Sequence, residues 1–357
     1  MTQEFVQLAH GSGGSLMRAL IEEVFIETFS EVQLEDAATL TLEGSGADLA
    51  DTRISLSTDS FVVRPLFFPG GDIGHLAVCG TVNDVATSGA IPRWLSVGFV
   101  LEEGFPLADL KRILHSMIET AREAEVSIVT GDTKVVGRGQ ADGVFINTTG
   151  VGVLPPGRVA CSADSLQAGD RILLSGSLGD HGMCIVSQRE ELSFAGDLRT
   201  DAAPLNHLIA DVLAAAPGTR CFRDPTRGGL ASTLNELADA SGVSMLVEEE
   251  AVPVKPVVRG ACEMLGYDVF QVANEGKMVA IVPANEAEAA LAAMRAARYG
   301  EEAALIGTVS ERSGSAGGGG AGGAGASAML AHVHLRNAFG ATRIMDTLVG
   351  EQLPRIC

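Results

Sequence analysis

Residues 53–63, RISLSTDSFVV, alternate between apolar and polar through Ile54, Leu56 and Thr58, the period of a half-buried strand, and Asp59 falls late in that run. A helical period then takes over in DIGHLAVCGTVNDVATSGA, with Ile73, Leu76, Val82 and Val85 inward and Gly89 as the stop. A strand follows at RWLSVGFVL, and residues 107–124 form an amphipathic helix. VSIVTGDTKVV reads as a strand entering a polar turn, and VFINTTGVGVL as another strand. Ahead of all these, the glycine loop HGSGG precedes a helix whose apolar set includes Leu16, Leu20, Val24 and Phe25.

After Pro155-Pro156-Gly157 the pattern starts afresh, with a strand and glycine turn at DRILLSGSLG and helices around 180–190 and 202–215. RDPTRGGLASTLNELADASG places a loop and paired glycines before a helix ending near Gly242. KMVAIVP, EAEAALAAMRAARYG and AALIGTVS make a strand, a helix and a strand. The stretch RSGSAGGGGAGGAGASAM cannot bury a core, and its composition predicts a flexible insertion over about 312–328.

At 357 residues the chain exceeds what one core usually fills, so two domains are expected: 1–156, 157–346, and a mobile tail over 347–357. Abundant aliphatic residues and glycine with few aromatics suit closely packed α/β layers. A formal net charge of −20 argues against a general nucleic-acid or anionic-membrane surface. MTQEFVQLAH is unlike a signal peptide and no apolar run reaches membrane-spanning length, so a cytoplasmic protein is expected. The six cysteines lie far apart with no CxxC, which excludes a zinc or disulfide framework.

Four aspartates recur where strands or loops meet helices: Asp59, Asp84, Asp132 and Asp224. Singly they are turn or cap residues, but together they suit magnesium, which takes one or two carboxylates along with substrate phosphates. HGSGG (Gly11, Gly13, Gly14) and PTRGG (Gly228) offer unobstructed backbone N–H groups, the second just before a helix whose positive end favours phosphate. Arg227 and Lys134 are available to neutralise phosphate oxygens. QVANEGKMVA sets Glu275 in a polar loop ahead of an apolar strand, as a base, a metal ligand or a solvated turn residue. The histidines show no metalloprotease spacing and read as structural or surface residues.

The chain ends LPRIC. HGSGG, STDSFVVRPLFFPGGDIGHLAVCGTVNDVATSGA, TGDTKVV, RDPTRGGLASTLNELA, VANEGK and this ending together resemble the HypE family of hydrogenase maturation proteins, within the aminoimidazole ribonucleotide synthetase-like ATP enzymes. The resemblance implies a two-domain α/β (α+β) fold: N-terminal strands forming a dimeric β-barrel, and a C-terminal domain closing an ATP cleft. It implies ATP and Mg²⁺ as cofactors, with Cys357 carrying a carbamoyl group that becomes a thiocyanate, the source of the cyanide ligand of [NiFe]-hydrogenase iron. Glu275 and Lys134 carry over as the central polar pair, Glu275 as base and Lys134 as electrostatic stabiliser. The implied partners are a HypF-like carbamoyltransferase, a HypC–HypD-like iron carrier and a second copy of the chain, with no nucleic acid and no membrane. A small-molecule phosphotransferase or ligase of the same superfamily would not need Cys357, and a metal-handover scaffold would need no ATP turnover.

Overall fold

The structure, a computed structural model, describes residues 6–11, 14–26, 28, 35–42, 52–192, 194, 196–311, 333–347 and 355–357. The glycine-rich insertion and Gly13 lie outside them.

The first half of the chain builds a five-stranded sheet from β1 (Ala38–Thr41), β2 (Arg53–Phe61), β5 (Ile91–Glu102), β6 (Ser127–Val136) and β7 (Val144–Val153), in the order β1-β2-β7-β5-β6. Pairing is antiparallel except between β5 and β6. The short hairpin β3 (Phe67–Phe68) and β4 (Gly71–Asp72) leads into helix α2 (Ile73–Thr87). Asp72 caps α2, its Oδ1 accepting from the amides of Gly74 at 2.8 Å and His75 at 3.0 Å. Helix α2 is apolar nearly all round because it is covered on opposite sides, by the sheet and by elements of the second half. It therefore sits between the two halves of the molecule, with its last turn at their junction. Helix α3 (Leu107–Glu123) is instead amphipathic and buries only one stripe, Ile113, Met117, Thr120 and Ala121.

The second half builds a seven-stranded sheet from β8 (Arg171–Leu174), β9 (Cys221–Arg223), β10 (Ser244–Glu248), β11 (Val279–Val282), β12 (Ala304–Ser310), β13 (Val333–Arg336) and β14 (Thr342–Ile344), in the order β14-β13-β10-β12-β8-β11-β9. Helices α4 (Asp180–Arg189), α5 (Asn206–Ala215), α6 (Gly229–Ser241), α7 (Pro256–Leu265) and α8 (Ala287–Ala296) complete it. Strand β10 and helix α7 have no counterpart in the sequence-based expectations.

Three expectations are corrected. Helix α1 (Ser15–Leu20) continues as wider turns over Ile21–Ile26, and Val24 and Phe25 are exposed rather than inward, since the wider turns change the angular spacing that a regular helix would give them. The polar turn expected in TGDTK is absent: β6 runs straight through it, and Gly131 lies against Val97 of β5. The last three residues of the expected tail pack inward, Ile356 and Cys357 being buried in the same apolar cluster as Phe61, Leu76 and Ile146. No described helix is long and apolar enough to cross a membrane.

Candidate active site

Strand β2 and helix α2 bring the first two acids together. In β2, Ser57 and Asp59 point to the same face, the one on which α2 packs. Gly80 lies under Asp59, and one turn later Asp84 accepts from the Ser57 hydroxyl at 2.8 Å. The third acid arrives from the β9–α6 loop, RDPTRGG, which also carries Arg227. Gly228 and Gly229 both take positive φ, and a side chain on Gly229 would strike the carbonyls of Phe270 and Val272 at 2.6 and 2.7 Å. Only glycine lets the loop enter α6 so close to the chain behind it.

The NEGK loop supplies the fourth acid. Asn274 is fully buried: its Oδ1 accepts from the Gly179 amide at 2.7 Å, and its Nδ2 donates to the carbonyls of Pro225 at 2.9 Å and Val272 at 3.1 Å. This side chain ties the Glu275 loop to the Asp224–Arg227 loop. Glu275 itself is buried, and among the described residues its Oε1 has no hydrogen-bond partner.

Electrostatics show how tightly these groups converge. Burial, with Asp224, Asp59 and Asp201 behind it, pushes the Glu275 carboxyl well above the usual range, and Arg227 opposes this. Asp84 is pushed well up by burial and by the charges of Asp224, Asp36 and Asp59. Asp224 rises to about 8, from burial first and then Asp36, with Arg223 opposing. Asp59 is also raised by burial, against the pull of Arg227. Such a set of buried, mutually repelling carboxylates calls for positive charge beyond Arg227.

The tail enters this same ground. Val62 donates its amide to the Cys357 carbonyl at 3.0 Å, and the His181 ring meets the Ile356 carbonyl at 2.8 Å. Arg355 donates to the Val62 carbonyl at 3.0 Å and pairs with Asp142 at 2.6 Å, while Arg189 donates to the Arg355 carbonyl. Burial pushes the Cys357 thiol up to about 12; Arg227 opposes the rise, and Glu275, Asp59 and Asp224 add to it. The terminal thiol thus lies within the field of the acidic cluster.

A cavity of about 590 Å³ opens beside the cluster, lined in part by Gly14, Met17, Arg223, Asp224, Arg227 and Glu236. Arg223 pairs with Asp36 at 2.5 Å on its wall. The cavity has the size of a small-molecule site, and three arginines, Arg18, Arg223 and Arg227, line it.

The sequence-predicted residues divide sharply. Cys357, Glu275, Asp59, Asp84, Asp224 and Arg227 gather in one cluster, Gly228 follows Arg227 in its loop, and Gly14, Asp224 and Arg227 line the cavity beside it. Gly11 is exposed, with open space where a side chain would be. Asp132 and Lys134 pair with each other on exposed β6, an edge strand, and a single chain does not bring them to the cluster. Asp36, Asp201 and His181 were missed. EDAATL and TDAAPL each set an aspartate just before an apolar run, the one signal that would have flagged the first two.

No three His, Cys, Asp or Glu side chains among the described residues form a ready-made metal cage. The donor set still fits Mg²⁺ in its usual mode, since Asp59, Asp84 and Asp224 are hard oxygen donors that repel one another, and nucleotide phosphates would complete the shell. Asp132 lies apart from that set.

Residues 34–154 match the AIR synthase related protein, N-terminal domain, and residues 167–334 the corresponding C-terminal domain. The chain is 53% identical over 352 residues to carbamoyl dehydratase HypE of Azotobacter vinelandii, covering 99% of this chain and 97% of that protein. It superposes on HypE solved in a HypE–HypF complex with a TM-score of 0.81 at 45% identity, covering 92% of this chain and all of the other. A HypE structure in complex with ATP gives a TM-score of 0.78 at 46% identity, with 99% of this chain and all of that one covered.

Proposed function

The chain belongs to the carbamoyl dehydratase HypE family, and from that premise we propose that it uses ATP to dehydrate a carbamoyl group carried on Cys357, leaving a protein thiocyanate. The carrying observation is the placement of the terminal thiol, buried beside Arg227, Glu275, Asp59 and Asp224. A phosphotransferase acting on a diffusible small molecule has no need to bury its own C-terminus there.

The atoms balance as follows. The carbamoyl oxygen attacks the γ-phosphorus of ATP, ADP leaves, and one N–H proton departs, giving an O-phosphorylated imidate on sulfur. Breaking the C–O bond then releases inorganic phosphate, and loss of the second N–H proton completes C≡N. Arg227 supports the charge that gathers on the transferring phosphoryl group. Glu275 takes an N–H proton, a role its buried, otherwise unpaired Oε1 suits. Asp59, Asp84 and Asp224 would hold Mg²⁺, which supplies charge neutralisation to the phosphates. Arg227 draws Glu275 toward its ionised, basic form against the effect of burial.

Lys134 enters through a second copy of the chain. Strand β6 is an edge strand with Val129 and Val135 exposed, and an open sheet edge of this kind is completed by pairing in a homodimer. A HypF-like carbamoyltransferase would load Cys357, and a HypC–HypD-like carrier would receive the cyanide for the iron of a [NiFe]-hydrogenase. Intact-protein mass spectrometry tests the proposal: the chain should gain a carbamoyl mass with HypF and carbamoyl phosphate, then lose the mass of one water on adding Mg·ATP. A carbamoyl mass that ATP leaves unchanged would sink it.

A further inference from the structure

The segment between α4 and α5 carries two adjacent residues, one reaching the Glu275 loop and the other, through His181, the C-terminal tail. The Asp201 side chain is only 2% exposed, and the residue reaches the NEGK loop at three consecutive positions. Its Oδ1 accepts from the Glu275 amide at 3.1 Å, and its Oδ2 lies 3.6 Å from the Lys277 ammonium. Its carbonyl packs so closely on Gly276 that a Cβ there would lie 1.7 Å away. Any shift of Asp201 therefore moves Glu275.

The preceding residue reaches the tail. Thr200 Oγ1 lies 2.7 Å from His181 Nδ1, and His181 Nε2 lies 2.8 Å from the Ile356 carbonyl. The Ile356 carbonyl only accepts, so Nε2 carries the proton and Nδ1 accepts from the Thr200 hydroxyl. The hydroxyl oxygen in turn accepts from the Ala202 amide at 3.0 Å. Burial keeps His181 below its ordinary pKa and so in the neutral form this chain requires. The Thr200 backbone is anchored independently, its amide on the Pro69 carbonyl at 3.0 Å.

We infer that Thr200–Asp201 is a positioning element that holds the Cys357-bound group and Glu275 in one register, Thr200 through His181 and the Ile356 carbonyl, Asp201 through the Glu275 amide. The inference rests on the proposed dehydration. Neither residue touches the reacting atoms. Both act by fixing other groups, where a misplacement of about 1 Å can cost on the order of 10²-fold in rate.

The test is single-turnover dehydration of full-length protein already carbamoylated on Cys357, for wild type, Thr200→Val, Thr200→Ser and Asp201→Ala. Thr200→Val keeps the shape without the hydroxyl, Thr200→Ser restores the hydroxyl, and Asp201→Ala removes the acceptor of the Glu275 amide. Thr200→Val and Asp201→Ala should accept carbamoyl and bind ATP within about twofold of wild type, yet lose water more slowly by about 10- to 100-fold. Thr200→Ser should recover to within a few-fold. Hydrogen exchange of the C-terminal peptide gives a readout apart from activity, with protection falling in Thr200→Val and returning in Thr200→Ser. Should Asp201→Ala fail to fold, the Thr200 pair still decides the tail arm. Wild-type dehydration in Thr200→Val, or a Thr200→Ser variant as slow as Thr200→Val, overturns the inference. A wild-type protein that never loses water overturns the dehydration itself, a result distinguishable from either.

Discussion

The amide of Val62, just past the end of β2, donates to the carbonyl of Cys357, the last residue of the chain, at 3.0 Å. The strand that carries Asp59 and the residue that carries the terminal thiol are thereby held together. Since Ile356 and Cys357 are also buried in the first core cluster, the end of this chain is part of its core.

Removing residues 355–357 should therefore lower stability. Ile356 is 2% exposed, and losing a buried aliphatic side chain costs about 2–4 kcal/mol. Chemical unfolding of the truncated and intact chains measures this, and equal midpoints would show that the tail is not packed in solution. Cys357→Ala, by contrast, removes a single sulfur, and should abolish carbamoylation at a cost of only about 1 kcal/mol.

In the absence of nucleotide and partners, Cys357 should be slow to alkylate. Its thiol is pushed up to about 12 from an ordinary value of 9.0, so at pH 8 the thiolate is scarcer by on the order of 10²–10³-fold. Iodoacetamide labelling of the C-terminal peptide, followed by mass spectrometry in native buffer and in denaturant, checks this. Equal rates in the two conditions would place the thiol in solvent.

Asp224 makes the nucleotide-free protein sensitive to alkali. Its folded-state value of about 8 lies far above the ordinary carboxylate value of 3.8, so the folded chain holds a proton that the unfolded chain has lost between those values. The resulting stability is fully present below about pH 4 and disappears as pH rises toward 8, at a slope of up to about 1.4 kcal/mol per pH unit. Asp224→Asn should flatten that slope in urea titrations while weakening Mg·ATP binding. An unchanged slope would assign the acidity elsewhere in the cluster.

Asp84→Asn should impair Mg·ATP use more than folding, because it relieves a repelled buried carboxylate while deleting a hard oxygen donor. Turnover at limiting magnesium, set beside melting temperature, separates the two effects. Normal magnesium dependence would return Asp84 to a purely structural place against Ser57.

Glu275→Gln should bind ATP and accept carbamoyl, then stall, since the amide keeps the shape but takes no proton; a positioned base is worth about 10²–10⁴-fold. Lys134→Met should be slow as well if a second copy supplies that residue. Mixing the two variants would then restore activity, because some mixed dimers pair an intact Glu275 with an intact Lys134. A mixture no faster than its components would confine Lys134 to its own chain's surface.

The sequence by itself determined the elements that have their own period or punctuation. The alternation around Ile54 and Leu56 marks β2, Gly89 and Gly242 mark where α2 and α6 stop, and the terminal LPRIC with VANEGK marks the family. It also set Asp59, Asp84, Asp224, Arg227 and Glu275 in loops and element ends, where residues from distant segments can meet. Only tertiary structure decided which of them do meet. TGDTK has the composition of a turn, yet pairing with β5 carries it on as an edge strand and takes Asp132 and Lys134 to the surface. The tail has the composition of a loose end, yet His181, Val62 and Arg189 bury its last residues. Both outcomes depend on partners outside the local sequence, β5 in the first case and, in the second, residues whose hydrogen bonds to the tail span 166 and 175 residues, and local pattern carries no information about either.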